Sequence, residues 1–398
     1  MKLSSRAKLL KPSPTLAITA KAKQLRAQGI DVIGFGAGEP DFGTPAHAVE
    51  AAVEALRAGD TRYTPAGGTP ELKKAVGARI EADYGLRYGA NEITVACGAK
   101  HILFNLFQVL LEPGDEVIVP APYWVSYPDQ IQLAGGRAVI LPTAEEDGFR
   151  MRPEALEAAL TPRTKALVLN SPSNPTGALY TREDLAALAE VLRGRDVVIV
   201  SDDIYHRLVY GEARFTSILE VAPELRDRTV IVNGVSKTYA MTGWRIGYAA
   251  GPAEAIAAME ALQSQSASNP TSFAQKGAVA ALTGPQDCVE EMRRAFEARR
   301  DLIVETLNRI PGVTCRSPEG AFYVFPNVSG LLGRRWGDRE IGCPADLAAY
   351  LLDEARIAVV PGEPFGSDRH LRLSYAISDD AIREGLRRFA EAAARLGD

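Results

Sequence analysis

The sequence predicts an α/β fold with a mostly parallel central sheet. Three observations carry that expectation. Short runs rich in Val, Ile and Leu recur through the middle of the chain, each followed by a helical pattern. The runs are nearly continuous in apolar residues, as in strands covered on both faces. The chain has 398 residues and 46% hydrophobic content, enough for a large core and for two domains.

Taken in order, the first forty or so residues contain a helix and then "DVIGFGAGEPDF", which ends at turn residues. Position alone gives this segment to neither domain. "EITVAC" reads as a strand before the helical "HILFNLFQVLL". "DEVIVPAP" precedes the helical "YWVSYPDQIQLAGG", and "TKALVLNSP" precedes "TREDLAALAEVLR". "DVVIVSDDIY" and "RTVIVNGVS" supply two further strands. After about residue 285 the pattern changes. A long helical stretch, "CVEEMRRAFEARRDLIVETLNRI", is followed by the short strands "AFYVFPNV", "IAVVPG" and "HLRLSYA" and by an amphipathic closing helix. This part reads as a smaller α+β unit. Within it, "VSGLLGRRWGDREIGCP" reads as a surface loop with no assigned function.

The net charge is -5, from 45 basic and 50 acidic side chains, which gives no electrostatic reason to expect nucleic acid or an anionic membrane as partner. Four scattered cysteines lack metal-ligand spacing. No metal site is expected, and a reducing cytoplasm is. No run approaches the roughly 18 apolar residues of a membrane span, and the N-terminus has no signal-peptide pattern.

In open α/β sheets, ligands sit beyond the carboxyl ends of the strands. Those ends read "CGAK", "APYW", "SPSNPTG", "DDIY" and "GVSK". Singly, each has an ordinary explanation: a solvated lysine, a good turn, a helix cap, a core tryptophan. Jointly they provide a helix N-terminus, an aromatic plate, an amide, a carboxylate with a phenol, and an amine. That set suits a flat, phosphorylated, aldehyde-bearing heteroaromatic such as pyridoxal 5'-phosphate (PLP). Lys237 can form a Schiff base with the aldehyde and, once freed, carry protons. Asp202 can pair with the pyridine nitrogen. The Tyr205 hydroxyl and the Asn174 amide can bond the ring's phenolic oxygen. Trp124 can stack on the ring. The backbone amides of Gly98, Ala99 and Lys100 begin a helix, a natural anion site, which Arg245 and Ser236 would complete.

With these residues in hand, the chain resembles a class I aminotransferase of PLP fold type I, close to the bacterial aspartate aminotransferases. The landmarks are "AGEPDF", "RYTPAGGTPEL", "PAPYWVSYP", "NSPSNPTG", "SDDIY", "SKTYAMTGWRIGY" and "LRLSYA", spread over essentially the full length. The resemblance implies a large PLP-binding domain over 46–284, with 1–45 and 285–398 forming a small domain and an N-terminal arm. It makes Lys237 the attachment lysine, with Asp202, Tyr205 and Asn174 at the cofactor. Arg372 is then the clamp for the substrate α-carboxylate, and Gly38 a backbone contact to the same group. Tyr63 would reach the cofactor phosphate of the neighbouring subunit, so a homodimer with shared sites is implied. Asp203 stands where some relatives have glutamate. Lys100 and Lys11 lack the neighbours of Lys237 and suit the distal carboxylate of a dicarboxylic substrate. In one branch of the family a lysine at the position of Lys11 accompanies use of prephenate, and here Pro14 alters that stretch.

The expected reaction is amino transfer from aspartate or glutamate to a 2-oxo acid, with prephenate as a further acceptor. The alternatives are an aminotransferase for alanine or aromatic amino acids, and a PLP-dependent C–S or β-lyase on the same scaffold. A ligand-sensing regulator built on this scaffold would carry a DNA-binding module upstream, whereas the fold is expected to begin near residue 13.

Overall fold

A computed structural model describes residues 1–9 and 14–397. Its first strands are β1 (Ile33–Gly34), β2 (Ile93–Ala96), β3 (Glu116–Ala121), β4 (Arg137–Pro142), β5 (Thr164–Asn170), β6 (Val198–Asp202) and β7 (Thr229–Gly234). They continue with β8 (Gly247–Ala250), β9 (Tyr323–Val324), β10 (Arg335–Trp336), β11 (Arg339–Glu340), β12 (Ile357–Ala358), β13 (Val360–Pro361) and β14 (Leu371–Ser374).

Seven strands form one sheet in the order β2-β8-β7-β6-β5-β3-β4. Neighbours run parallel except for β8, which is antiparallel to both β2 and β7. The α/β class read from the sequence is therefore the observed one. Side chains alternate across the sheet. Val117 and Val119 of β3 face helix Ala99–Leu110, where Ile102, Leu106 and Phe107 are buried with them. Ile118 faces the other side, with Leu72 and Ile80 of helix Pro70–Tyr84 and Leu185 and Leu188 of helix Arg182–Leu192. Each such burial contributes about 1.5–3 kcal/mol. Helix starts are fixed locally: Thr181 accepts from the Asp184 amide at 3.1 Å while the Asp184 carboxylate accepts from the Thr181 amide at 2.9 Å, a reciprocal cap.

Two strands of the seven-stranded sheet went unmarked in the sequence. β4 is an edge strand whose residues are exposed or half-buried, although it carries the short apolar run "AVIL". β8 reads "GYAA" because space is short: a Cβ on Gly247 would fall 2.1 Å from the Ala99 nitrogen.

The C-terminal part holds the antiparallel sheet β13-β14-β9, while β1 pairs in parallel with β12. Helices Asp287–Leu307 and Asp379–Ala394 bury Phe296, Ile303, Leu386 and Phe389 around Phe322, Leu371 and Leu373. Phe35 belongs to the same core. Its amide donates to Ala358 O at 2.8 Å and its carbonyl accepts from the Ser374 amide at 2.7 Å. This stitching delivers Gly36–Gly38 beside β14.

The segment expected as a plain surface loop contains the hairpin β10-β11. Gly337, at φ +57°, makes its turn, the Trp336 ring lies 5.2 Å from that of Tyr350, and Arg335 bridges to Gly397. Two-residue strands carrying two arginines leave no apolar signal to read. Among the described residues, no helix is long and apolar enough to cross a membrane.

Candidate active site

The carboxyl ends of β2, β3, β5, β6 and β7 open onto a cavity of about 360 Å³, in the size range of small-molecule sites. The chain order reverses between β3 and β5, and ligand crevices form at such reversals. Trp124 enters after β3, Asn174 after β5, Asp202 and Tyr205 after β6, and Ser236 and Lys237 after β7. Arg372 comes from β14 and Gly38 from the segment beyond β1.

Asp202 ends β6 with its backbone held by Asn170, whose Nδ2 donates to Asp202 O at 2.8 Å. The Tyr127 hydroxyl donates to Asp202 Oδ2 at 2.6 Å. Oδ1 is buried and has no partner among the described residues. Burial pushes the carboxyl up to about 6, while the Tyr127 hydroxyl, the Ile204 amide and the Lys237 charge hold it down. A buried carboxylate with one free oxygen is a seat for an N–H donor.

Helix Ala99–Leu110 points its N-terminus at the cavity. One expectation needs correction here: the Gly98 amide is used within the turn, donating to Ala96 O at 2.7 Å. The Ala99 and Lys100 amides remain free among the described residues. Gly98 serves by its shape instead. It sits at φ +88°, and a Cβ there would fall 2.3 Å from Arg245 Nη2. Arg245, itself at φ +58°, is braced by Nη1 donating to Thr242 O at 2.9 Å and Nη2 to Cys97 O at 3.3 Å. Two free amides, a guanidinium pressed against glycine and the Ser236 hydroxyl on the same wall make an anion cradle.

Lys237 donates its amine to Gly38 O. Burial lowers its pKa to about 8; Glu39 opposes that, and Arg245, Arg372 and Lys100 add to it. Arg372 is 2% exposed and has no carboxylate partner among the described residues. Nη2 donates to Gly36 O at 2.8 Å and Nη1 to Asn174 Oδ1 at 3.2 Å, while Nε has no partner. Its guanidinium lies 4.6 Å from the Tyr323 ring centre and 5.1 Å from that of Phe365. A buried cation without a counter-charge is costly unless an anion arrives. Lys100 Nζ lies 4.8 Å over the Trp124 ring, and burial, then Arg245, lowers its pKa.

The cavity thus gathers Gly38, Ala99, Lys100, Trp124, Asn174, Asp202, Tyr205, Ser236, Lys237, Arg245 and Arg372. Tyr63 is not among its wall residues; it is 91% exposed on the outer surface. Lys11 lies outside the described residues. Sequence reasoning missed Tyr127, Glu39 and Tyr323. Tyr127 stands three residues after Trp124, a spacing that places both at one helix start, with rings 5.3 Å apart. No group of three or more metal-ligating side chains occurs among the described residues.

A model of the family described as aminotransferase class I and II matches residues 30–389. The chain belongs to this family. It is 54% identical to the aspartate aminotransferase of Geobacillus stearothermophilus over 99% of this chain and 100% of that one. It is 53% identical to the aspartate/prephenate aminotransferase of Cereibacter sphaeroides, covering 95% of each. The structure superposes on that of the Thermus thermophilus aspartate aminotransferase with maleate at a TM-score of 0.93, with 46% identity over 98% of this chain and 100% of the other. Class I aminotransferases are PLP enzymes of fold type I. The residues of this aminotransferase fit PLP: the unpartnered Asp202 Oδ1, the amide-and-guanidinium cradle and the half-buried Lys237 amine match its ring nitrogen, phosphate and aldehyde.

Proposed function

We propose that the protein is an aspartate aminotransferase that holds PLP at Lys237 and accepts prephenate among its 2-oxo acids. The observation that carries this reading is Arg372, a buried guanidinium without a carboxylate partner among the described residues, lining the same cavity as Lys237 and Lys100. Bound PLP supplies an electron sink for the substrate α-carbon and a carrier for the amino group. Every other task falls to side chains. Arg372 takes the α-carboxylate in a bidentate pair, with the Gly38 backbone beside it. Lys237, with its pKa near 8, moves the proton at the substrate α-carbon; an amine titrating this close to neutrality both accepts and returns it. Asp202 receives the ring N–H on Oδ1, and Tyr205 with Asn174 faces the ring oxygen. Ala99, Lys100, Ser236 and Arg245 hold the phosphate. Trp124 covers the ring and excludes water.

Lys100, which lines the cavity, is one candidate for the distal carboxylate, and Lys11 is the second. The names of the relatives favour aspartate, and maleate in the Thermus thermophilus structure is itself a four-carbon dicarboxylate. We further propose a homodimer in which Tyr63 serves the partner's site. Its exposure supports this, as does the neighbouring helix Ala46–Arg57, which shows Val49, Val53 and Leu56 to solvent at helical spacing. The four unpaired cysteines suit a cytoplasmic location.

The test mixes cofactor-loaded protein with aspartate, alanine or phenylalanine and follows absorbance and 2-oxo acid release in single turnover. Aspartate should react fastest. Lys100→Ala should cost about 1.5–3 kcal/mol for aspartate, the loss of one charge-assisted contact, and little for alanine. A wild-type preference for alanine, or equal losses for all donors, would reject the dicarboxylate reading. Elimination without amino transfer would favour the lyase.

A further inference from the structure

Two side chains assigned above to opposite ends of the bound molecules meet on a third, Tyr323. This residue lies in β9 and is 1% exposed. The register Ser374↔Tyr323 places Arg372 diagonally opposite it on the same face of the sheet. On one side, the Arg372 guanidinium sits 4.6 Å from its ring centre. On the other, its hydroxyl is 3.0 Å from the Tyr205 hydroxyl, with the rings edge-on at 85°. Gly38 closes the third side: a Cβ there would come within 3.2 Å of the Tyr323 oxygen. The phenol is therefore held in place by backbone, by a cation and by a second phenol.

A pair of hydroxyls shares one proton in the bond between them, and either can be the donor. The choice has consequences for Tyr205. If Tyr205 donates to Tyr323, its proton is spent inside the protein. If Tyr323 donates, the Tyr205 proton is free to point into the cavity, where Tyr205 would meet the cofactor's ring oxygen. A cation over the Tyr323 ring draws electrons from it and makes that phenol the better donor. We propose that Tyr323 is a positioning residue: its hydroxyl donates to Tyr205 and turns the Tyr205 proton into the cavity, and carboxylate binding at Arg372 weakens that donation. The substrate's carboxylate is thereby felt at the ring oxygen through two phenols. Burial raises the pKa of both phenols, so both keep their protons. The Arg372 charge pulls the other way on both phenols, and on Tyr323 it is the first influence after burial. The other charged groups bearing on the pair are Glu39, on Tyr323, and Asp202, on Tyr205, while Lys237 stands across the cavity.

The inference rests on the roles proposed for Arg372 and Tyr205, so its test separates the two. The probe is succinate, an unreactive dicarboxylate, added to cofactor-loaded protein while the cofactor absorbance is titrated with pH. In wild type, succinate should move the titration upward. Tyr323→Phe keeps the ring under Arg372 and removes only the hydroxyl. Its titration without succinate should lie higher than wild type by about half a pH unit, roughly threefold in proton affinity. Its response to succinate should shrink, while its succinate affinity at fixed pH stays near wild type. In a Tyr205→Phe background the same change should have no further effect. Tyr323→Leu, which also removes the ring, should weaken succinate binding as well. A Tyr323→Phe protein that titrates like wild type, or an effect that persists undiminished without the Tyr205 hydroxyl, overturns the inference and leaves the Arg372 assignment standing. Unchanged succinate binding in Arg372→Gln overturns both.

Discussion

The Tyr127 hydroxyl donates a 2.6 Å hydrogen bond to Asp202 Oδ2 and leaves Oδ1 buried without a partner. One oxygen of the carboxylate is thus committed to the protein and the other is reserved. The phenol also restrains the upward push that burial gives the carboxyl, so Asp202 stays ionised at neutral pH, ready to pair with a ring N–H.

Tyr127→Phe should therefore weaken cofactor retention. The variant leaves a buried acceptor unmet, at a cost of about 1–2 kcal/mol, or roughly tenfold in dissociation constant. Equilibrium dialysis against PLP measures it. Unchanged retention would show that the Oδ2 contact does not tune the site.

A second expectation concerns stability without cofactor. Burial raises Asp203 to about 8 and Asp202 to about 6, well above an ordinary aspartate. Their folded forms hold protons to higher pH than the unfolded chain does. Unfolding then releases protons between about pH 4 and about pH 8, and these groups make stability fall as pH rises through that window. Asp203→Asn removes its share, so the variant should gain on wild type as the pH climbs toward 8. Urea unfolding of the apoprotein at several pH values checks this; a stability difference that is constant with pH would contradict it.

The strand-end chemistry was legible because burial on both faces makes each main strand a continuous apolar run, and the functional residue follows directly after it. Lys237, Asp202 and Asn174 stand out for that reason. Tyr127 and Tyr323 did not, because their partners lie 75 and 118 residues away in sequence. Tyr323 is also embedded in "AFYVF", where a tyrosine reads as one more core aromatic. The Gly98 amide was misread because the turn that spends it, back to Ala96, is a matter of backbone geometry. Gly247 carried no sign of its role, since the close approach it permits is to the start of another element.

A third expectation concerns assembly. Tyr63→Phe and Arg372→Ala, each impaired alone, should partly complement when refolded together, since mixed dimers would contain one site with both residues intact. Sedimentation at assay concentration should give a dimer. An active monomer, or mixing without any recovery, would rule out shared sites.

The most direct test of the account is borohydride reduction of the PLP-loaded protein followed by peptide mapping. Reduction fixes the cofactor to the amine that holds it. The expected result is a single labelled peptide containing Lys237, lost in Lys237→Ala while the fold is retained. Label on Lys100 or Lys11, or full labelling in the Lys237→Ala variant, would contradict the assignment of this cavity.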